Sequence, residues 1–383
     1  MSKKVIYVSW VKLTDKYARD YFIDHLIENG VEVEFWDVVA LTREQHNEVG
    51  ELDVNYLRVL QSYRDLENLV KRSENIDAVY VMLMTLNWKV RLVYQLLSKY
   101  RRKMVFLRWG EVPAKTAPIL QRAVNKLITA PFGFFQSLFD TVGLISYKKL
   151  GLIKPFHLVF TAGSVLRESE QFAKKTKQLN SPDYDHYMHL KESDDSFVDE
   201  KYAVFLDLSM PYNSDLILDG KKTINPHDYY QSLNRFFTLL EEQYGVKVII
   251  AAHPKTNPNT TAFGDREIYR LRTAEIVKDA EFVITHHSTA LNYAVLNVKP
   301  CIFIYTNEME VLYPNSRVGV IKLFADYLDA SIYNIDKLKN PENIVMKQPN
   351  RIRYDDYKYS FLTSKATKNS TSNDIFFQEI NQS

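Results

Sequence analysis

The amino-acid sequence predicts an α/β protein built from two Rossmann-like domains. Three observations carry that prediction. Short apolar runs alternate with stretches of helical period along most of the chain, the rhythm of βαβ units. The runs are apolar throughout rather than at every second position, as strands buried on both faces of a parallel sheet require. The third is length: 383 residues suffice for two cores of ordinary size.

The amino-terminal domain, residues 1–173, opens with a strand at Val5–Ser9. An amphipathic helix over Asp15–Asn29 follows, stopped by Gly30, and Val31–Trp36 is the second strand. Ala78–Met84 and Met104–Leu107 are further strands, with a helix from Lys89 to Tyr100 between them. The turn after the first strand reads VSWVKLTD, without the GxGxxG of a dinucleotide site, so NAD is disfavoured.

Between Lys115 and Lys154 the pattern becomes long, apolar and helix-prone. Arg122, Lys126, Lys148, Lys149 and Lys154 stand against the acid Asp140, and Phe132, Phe134, Phe135, Leu138 and Phe139 cluster in the middle. A basic helix with exposed Phe and Leu lies in a membrane interface rather than crossing it; a helix packed between domains carries the same residues, and both readings stay open. Strand His157–Thr161 then leads into Ala162-Gly163-Ser164, a turn that opens a helix.

Residues 174–201, containing SPDYDHY and ESDDS, read as a polar linker. The carboxyl-terminal domain, residues 202–362, holds strands at Ala203–Leu206, Val248–Ala252, Phe282–Thr285 and Cys301–Ile304. In the tail, residues 363–383, Thr363–Asn373 is polar and expected to be mobile, and Asp374–Ile380 has the pattern of a last short helix.

Polar groups suited to phosphate follow the strands of the second domain. His253-Pro254-Lys255 follows one strand; His286-His287-Ser288-Thr289 follows the next and opens a helix. In open parallel sheets ligands collect at the carboxyl ends of strands, where helix N-termini offer N–H groups to an anion. A nucleotide or its sugar conjugate is therefore the expected ligand. His253 is expected to donate to the leaving phosphate, with Lys255 as a second contact or a solvated charge. His286 and His287 cannot both point inward from one extended backbone, so one belongs to the site and the other to packing or surface. Ser288 and Thr289 also suit plain helix capping.

Asp207 closes the strand Ala203–Leu206 and faces the expected inter-domain cleft. Its carboxylate suits deprotonation of an acceptor hydroxyl or attack on an anomeric carbon, and an aspartate capping the following turn looks the same in sequence. Glu308, after the strand Cys301–Ile304, is a candidate for ribose or base. In the first domain Asn87, Arg108 and Glu111 stand at or just after strand ends and are candidate acceptor contacts; Arg108 leads them because a guanidinium suits carboxylates and phosphates.

An HP dipeptide followed by a Ser-Thr pair at a helix start, in the second half of a two-domain α/β chain, resembles the GT-B glycosyltransferases that use CMP-activated acidic sugars. These are the sialyltransferases and Kdo transferases of bacterial surface polysaccharide assembly. Tyr202 to Ile304 is also similar to the carboxyl half of surface carbohydrate biosynthesis proteins, whereas the first half is similar in architecture only. The resemblance implies a GT-B fold with the active site in the cleft between domains. It further implies His253, Ser288 and Thr289 on the CMP phosphate, and Asp207 as the catalytic carboxylate. The stretch VFLDLSMPYNSD lacks the glycine expected after the acidic residues of the sialyltransferase motif. That favours a retaining course, with Asp207 as nucleophile, over an inverting one.

Composition excludes other classes. A formal net charge of +2 with 25% charged residues gives no bulk attraction for nucleic acid. The single cysteine, Cys301, sits in an apolar strand, which excludes a disulfide within the chain, suits a reducing compartment and reads as packing rather than a nucleophile. The start, MSKKVIYVSW, lacks the form of a secretory signal, and no apolar stretch reaches the ~20 residues that span a bilayer. The expected location is cytoplasmic, with a peripheral place at the inner membrane open. His25, His46, His157, His186 and His189 are scattered, while Asp183-Tyr184-Asp185 and Asp194-Asp195 fall in the expected linker, so neither a metal nor a cofactor is expected.

The function expected is transfer of Kdo or another ulosonic acid from a CMP donor to a glycan or lipid-linked acceptor. A GT-B relative using a UDP-sugar or CDP-polyol, or a nucleotide-sugar epimerase, is the alternative among enzymes. A non-catalytic carbohydrate-binding or assembly subunit is the alternative outside them.

Overall fold

In a computed structural model, residues 4–42, 52–109, 112–113, 131–165, 171–191, 200–213, 222–253 and 260–382 are described. Every strand pairing among them is parallel, as the unbroken apolar runs require. The chain divides into two units. The first comprises Met1–Trp109, Thr116–Asn180 and Ser364–Ser383; the second comprises Gly110–Lys115 and Ser181–Thr363.

The first unit carries β1 (Lys4–Ser9), β2 (Glu32–Asp37), β3 (Leu57–Val59), β4 (Val79–Met82), β5 (Lys103–Arg108), β6 (Leu158–Ala162) and β7 (Thr176–Leu179), in the order β3-β2-β1-β4-β5-β6-β7. Successive side chains enter different cores. Ile6, Val8, Tyr80 and Met82 pack in one layer, and Val5, Tyr7, Val79 and Val81 in the other. The period-two alternation thus has an apolar partner on both faces, and that is why the strands read as continuous apolar runs.

The helix expected over Asp15–Asn29 is corrected to two, Asp15–Asp20 and Ile23–Glu28. Phe22 breaks it in the left-handed region at φ 66°. Its ring is buried against Trp109 and Phe376, and that contact holds the chain in a conformation a β-carbon disfavours.

Pro131–Lys149 is one helix. Gly143 lets it lie directly on Trp88: a β-carbon there would come within 2.5 Å of the indole. Leu144 and Tyr147 pack beside it in the core of the same unit. Phe135, Leu138, Phe139, Val142 and Ile145 follow the i, i+3, i+4 spacing of a second face, and all are exposed. Arg122, Lys126 and the side chains of Phe132 and Phe134 lie outside the described residues.

Two expectations for polar segments are corrected. The stretch read as a linker, residues 174–201, contains β7 and a helix, Pro182–Lys191. The carboxylate of Asp183 accepts hydrogen bonds from Asn292 and Tyr293, so its polarity serves packing inside the second unit. Asp194 and Asp195 lie outside the described residues. Thr363–Asn373, expected to be mobile, instead has Thr363, Ser364, Thr367 and Ser372 buried. Ser364 and Thr367 bond one another, and Asn180 donates to the carbonyls of Thr367 and Ser370. The last helix, Ser372–Gln382, seats Phe376 and Ile380 in the first unit's core, and its Glu379 pairs with Lys175 and Lys177 at 2.8 and 2.6 Å.

The second unit repeats the plan with β8 (Tyr202–Leu206), β9 (Lys247–Ala252), β10 (Ile268–Arg270), β11 (Phe282–Thr285), β12 (Cys301–Tyr305) and β13 (Ser331–Asn334), ordered β10-β9-β8-β11-β12-β13. A long helix, Pro226–Tyr244, covers one face. Asn225 caps it through the His227 N–H, Pro226 suits its first turn, and Gly245 ends it at φ 61°. Its buried side chains Tyr229, Leu233, Phe236, Phe237 and Leu240 recur at helical period, the stripe that meets the sheet.

Candidate functional site in the second unit

In both sheets the chain runs outward in one direction and then returns to build the other half. The reversal in the second unit lies between β8 and β11. Connections leave these two strands on opposite sides, so a crevice opens at their carboxyl ends, where open α/β sheets bind ligands. Leu206 is level with Ala251 on one side and Thr285 on the other. Asp207 therefore stands beside Ala252 and His286 at this edge, with His253 and His287 one residue further on.

Asp207 is buried at 4% exposure. Its N–H donates to the Ala251 carbonyl at 3.0 Å, and its Oδ1 accepts the Ser209 N–H at 2.8 Å. That second bond is an Asx turn, which fixes the carboxylate's orientation and gives Ser209 its left-handed φ of 47°. Burial first, and then the Asp207 charge, push the phenols of Tyr229 and Tyr230 well above their ordinary range.

His286 is fully buried. Its Nδ1 lies 2.7 Å from the Ile304 carbonyl, which can only accept, so the proton is on Nδ1. Nε2 then accepts the Tyr229 hydroxyl at 2.8 Å. Burial holds the ring neutral, with its pKa lowered to about 4. Both nitrogens are engaged within the fold, and the nucleotide contact expected of His286 is corrected to a packing role.

His287, half-buried, differs. Its Nε2 is 2.9 Å from a terminal nitrogen of Arg317. A guanidinium only donates, so Nε2 accepts and the proton again sits on Nδ1. That Nδ1 is buried without a hydrogen-bond partner among the described residues. Burial, and next the Arg317 charge, lower its pKa to about 3. The other terminal nitrogen of Arg317 reaches Asn213 Oδ1 at 3.5 Å.

The helix expected to open at Ser288-Thr289 starts later, at Leu291, with Ala290 in the cap position. Ser288 is buried and its Oγ accepts the Ala290 N–H at 3.2 Å, while Thr289 is exposed. The two residues shape a turn ahead of a short helix because the first backbone bonds are three-residue ones, from Leu291 to Ser288 and Asn292 to Thr289. Glu308 accepts the Asn225 N–H with both oxygens, at 3.2 and 3.0 Å, and so holds the start of the long helix. His253 is half-buried at the end of β9; Pro254, Lys255 and Glu111 lie outside the described residues.

Asn87 and Arg108 belong to the first unit. The Asn87 side chain caps a turn, accepting from Lys89 and Val90 and donating to Thr85. Arg108 is buried and donates to the Val165 carbonyl at 3.3 Å. No group of three or more His, Cys, Asp or Glu side chains converges among the described residues. No helix there is long and apolar enough to cross a membrane.

Several site residues are absent from the sequence reading. Arg317 lies in an irregular turn, Pro314–Val318, and Tyr229 and Tyr230 lie on a helix, so no strand-end position marks them. Tyr230 also lines a cavity of about 420 Å³ with Tyr212, Pro226, His227, Asn234 and Thr260. A volume of that order suits a small ligand, and aromatic walls suit a sugar or base.

The sequence matches no protein-family model and no curated protein sequence. Solved structures do resemble it. A variant of the wall teichoic acid polymerase TagF aligns over 99% of this chain and 89% of its own, at 11% identity and a TM-score of 0.52. The calicheamicin glycosyltransferase aligns over 100% and 94% at 12% identity and a TM-score of 0.49. The Methanocaldococcus jannaschii UDP-GlcNAc 2-epimerase, in complex with UDP-GlcNAc and UDP, aligns over 100% of both chains at 11% identity and a TM-score of 0.47. The likeness to TagF is one of fold, and the fold is GT-B: two Rossmann-like units, each a parallel sheet with helices.

Proposed function

We propose that the chain is a glycosyltransferase of bacterial surface polysaccharide assembly, lipopolysaccharide or capsule. In this reading it transfers Kdo or another ulosonic acid from a CMP donor to a glycan or lipid-linked acceptor. One observation carries it: Asp207 and the 286–288 turn stand on the two strands that flank the sheet reversal, where this fold class binds ligands. His253, Pro254, Lys255, His287, Ser288, Thr289 and Glu308 form the donor side, and Asn87, Arg108 and Glu111 the acceptor side. Protein donors rather than a metal neutralise the phosphate.

The Asp207 carboxylate attacks the anomeric carbon, the bond from that carbon to the phosphate oxygen breaks, and CMP leaves with the electron pair, its charge met by donors including His253. The acceptor hydroxyl then displaces Asp207, giving its proton to solvent, and configuration is retained. Intact-protein mass spectrometry after incubation with CMP-Kdo and no acceptor should show a sugar adduct that Asp207→Asn abolishes. An active enzyme that never acquires the adduct and inverts configuration returns Asp207 to the role of general base. His253→Ala should transfer roughly 10²–10³-fold more slowly at saturating donor. A chain that neither transfers nor hydrolyses any donor is a binding subunit instead.

A UDP-sugar or CDP-polyol donor is the second reading, favoured by the additional cation, Arg317, at the same edge. The exposed apolar face from Phe135 to Ile145, followed by Lys148, Lys149 and Lys154, supports peripheral association with an anionic membrane, where a lipid-linked acceptor would lie.

A further inference from the structure

Arg317 is a cation with no carboxylate partner among the described residues. Its contacts there, His287 Nε2 and Asn213 Oδ1, are both neutral. Arg266 of the same unit shows the contrast, bound by both oxygens of Glu241 at 2.9 and 2.7 Å. Two of the five N–H groups of Arg317 are used among the described residues, which leaves donor capacity as well as charge.

Its neighbour is incomplete in the same sense. By donating to Nε2, Arg317 forces the His287 proton onto Nδ1, and that buried N–H meets no acceptor among the described residues. A buried donor left unmade is costly, and folds keep such groups where something else completes them. A water molecule would satisfy the N–H but not the charge; an oxyanion satisfies both. His287 sits two residues past β11, at the sheet reversal and beside the buried hydroxyl of Ser288.

We propose that Arg317 and the Nδ1–H of His287 together bind a second anionic group of the donor, beyond the phosphate attached to the nucleoside. The inference rests on the nucleotide-sugar reading above and deepens it. The shared chemistry is an oxyanion with at least two acceptor oxygens, and it has two sources: the outer phosphate of a nucleoside diphosphate, or the carboxylate of an ulosonate. Asn213 orients the guanidinium, and His287 must stay neutral to accept from it.

Calorimetric titration of the full chain with CMP, CDP and CMP-sialic acid tests this, comparing the native protein with Arg317→Gln and Arg317→Lys. Arg317→Gln should weaken the ligand carrying the second anion roughly 10- to 100-fold, as loss of a charge-assisted hydrogen bond does, and CMP much less. A loss confined to CDP identifies an outer phosphate; one confined to CMP-sialic acid identifies a carboxylate. Arg317→Lys keeps the charge without the fork and should fall between, which also covers a Gln variant that fails to fold. Equal affinities in native and variant protein overturn the inference and leave the nucleotide-sugar reading standing, as does an equal loss for all three ligands. Native protein that binds none of them overturns both.

Discussion

Acid should weaken the second unit in part through His286. The ring is neutral in the fold, with a pKa lowered from 6.5 to about 4 because it is fully buried. A histidine depressed on folding contributes its full stability above the unfolded value; that contribution is lost as pH falls from 6.5 toward 4, because the unfolded chain takes up the proton first. A difference of about 2.5 units at about 1.36 kcal/mol each makes the loss about 3 kcal/mol. That is a large share of the ~5–15 kcal/mol that stabilises a typical domain. His286→Gln is the comparison, since an amide can donate to the Ile304 carbonyl and accept from Tyr229 but does not titrate. Trp10, Trp36, Trp88 and Trp109 all lie in the first unit, so tryptophan fluorescence does not report the second unit directly. Amide hydrogen exchange of β8 and β11 at pH 7, 6, 5 and 4 reads it instead. The native protein should lose about 3 kcal/mol more than the variant across that range. Parallel pH dependences would refute the argument.

Gly143→Ala should destabilise the first unit by ~1–3 kcal/mol, because the added carbon meets Trp88 at 2.5 Å. Here tryptophan fluorescence is the right probe, and an unchanged midpoint would contradict the docking of that helix. Flotation with anionic vesicles should retain the protein at low salt, release part of it at high salt, and fail for a Phe135→Glu/Phe139→Glu double variant. A native protein that floats with no lipid composition removes the membrane proposal. Cys301 is buried beside Tyr354, and burial pushes its thiol up to about 12, so thiol reagents at pH 8 should label it only in denaturant. Rapid labelling of the native chain would contradict that burial.

The strands legible in the sequence are those flanked by strands on both sides. Phe282–Thr285 is read to the residue, and Val248–Ala252 and Cys301–Ile304 to within one. The four that escape, β3, β7, β10 and β13, are the four sheet edges. LRV, TKQL, IYR and SIYN are short, half-exposed and without an unbroken apolar run, because an edge strand has solvent beside it. Residues 174–201 look like a linker for a related reason: SPDYDHY has the composition of a loop, yet Tyr184 is buried and Asp183 is a hydrogen-bond acceptor for another helix. At the site, Asp207, His253 and the 286–289 turn are legible because they follow apolar strands directly. Arg317 and Asn213 are not, since tertiary folding alone brings residues 30 and 104 positions apart together around one guanidinium.

On the proposed function, a nucleotide binds the second unit at the carboxyl edge of β8 and β11. Thermal unfolding with CMP, CDP, UDP and GDP, paired with hydrogen exchange, tests it most directly. CMP or CDP should stabilise the protein more than UDP or GDP, by about 2.7 kcal/mol at a hundredfold excess over Kd, with new protection at residues 207–209 and 286–290. Stabilisation by none of the four, or protection confined to the first unit, would contradict the account.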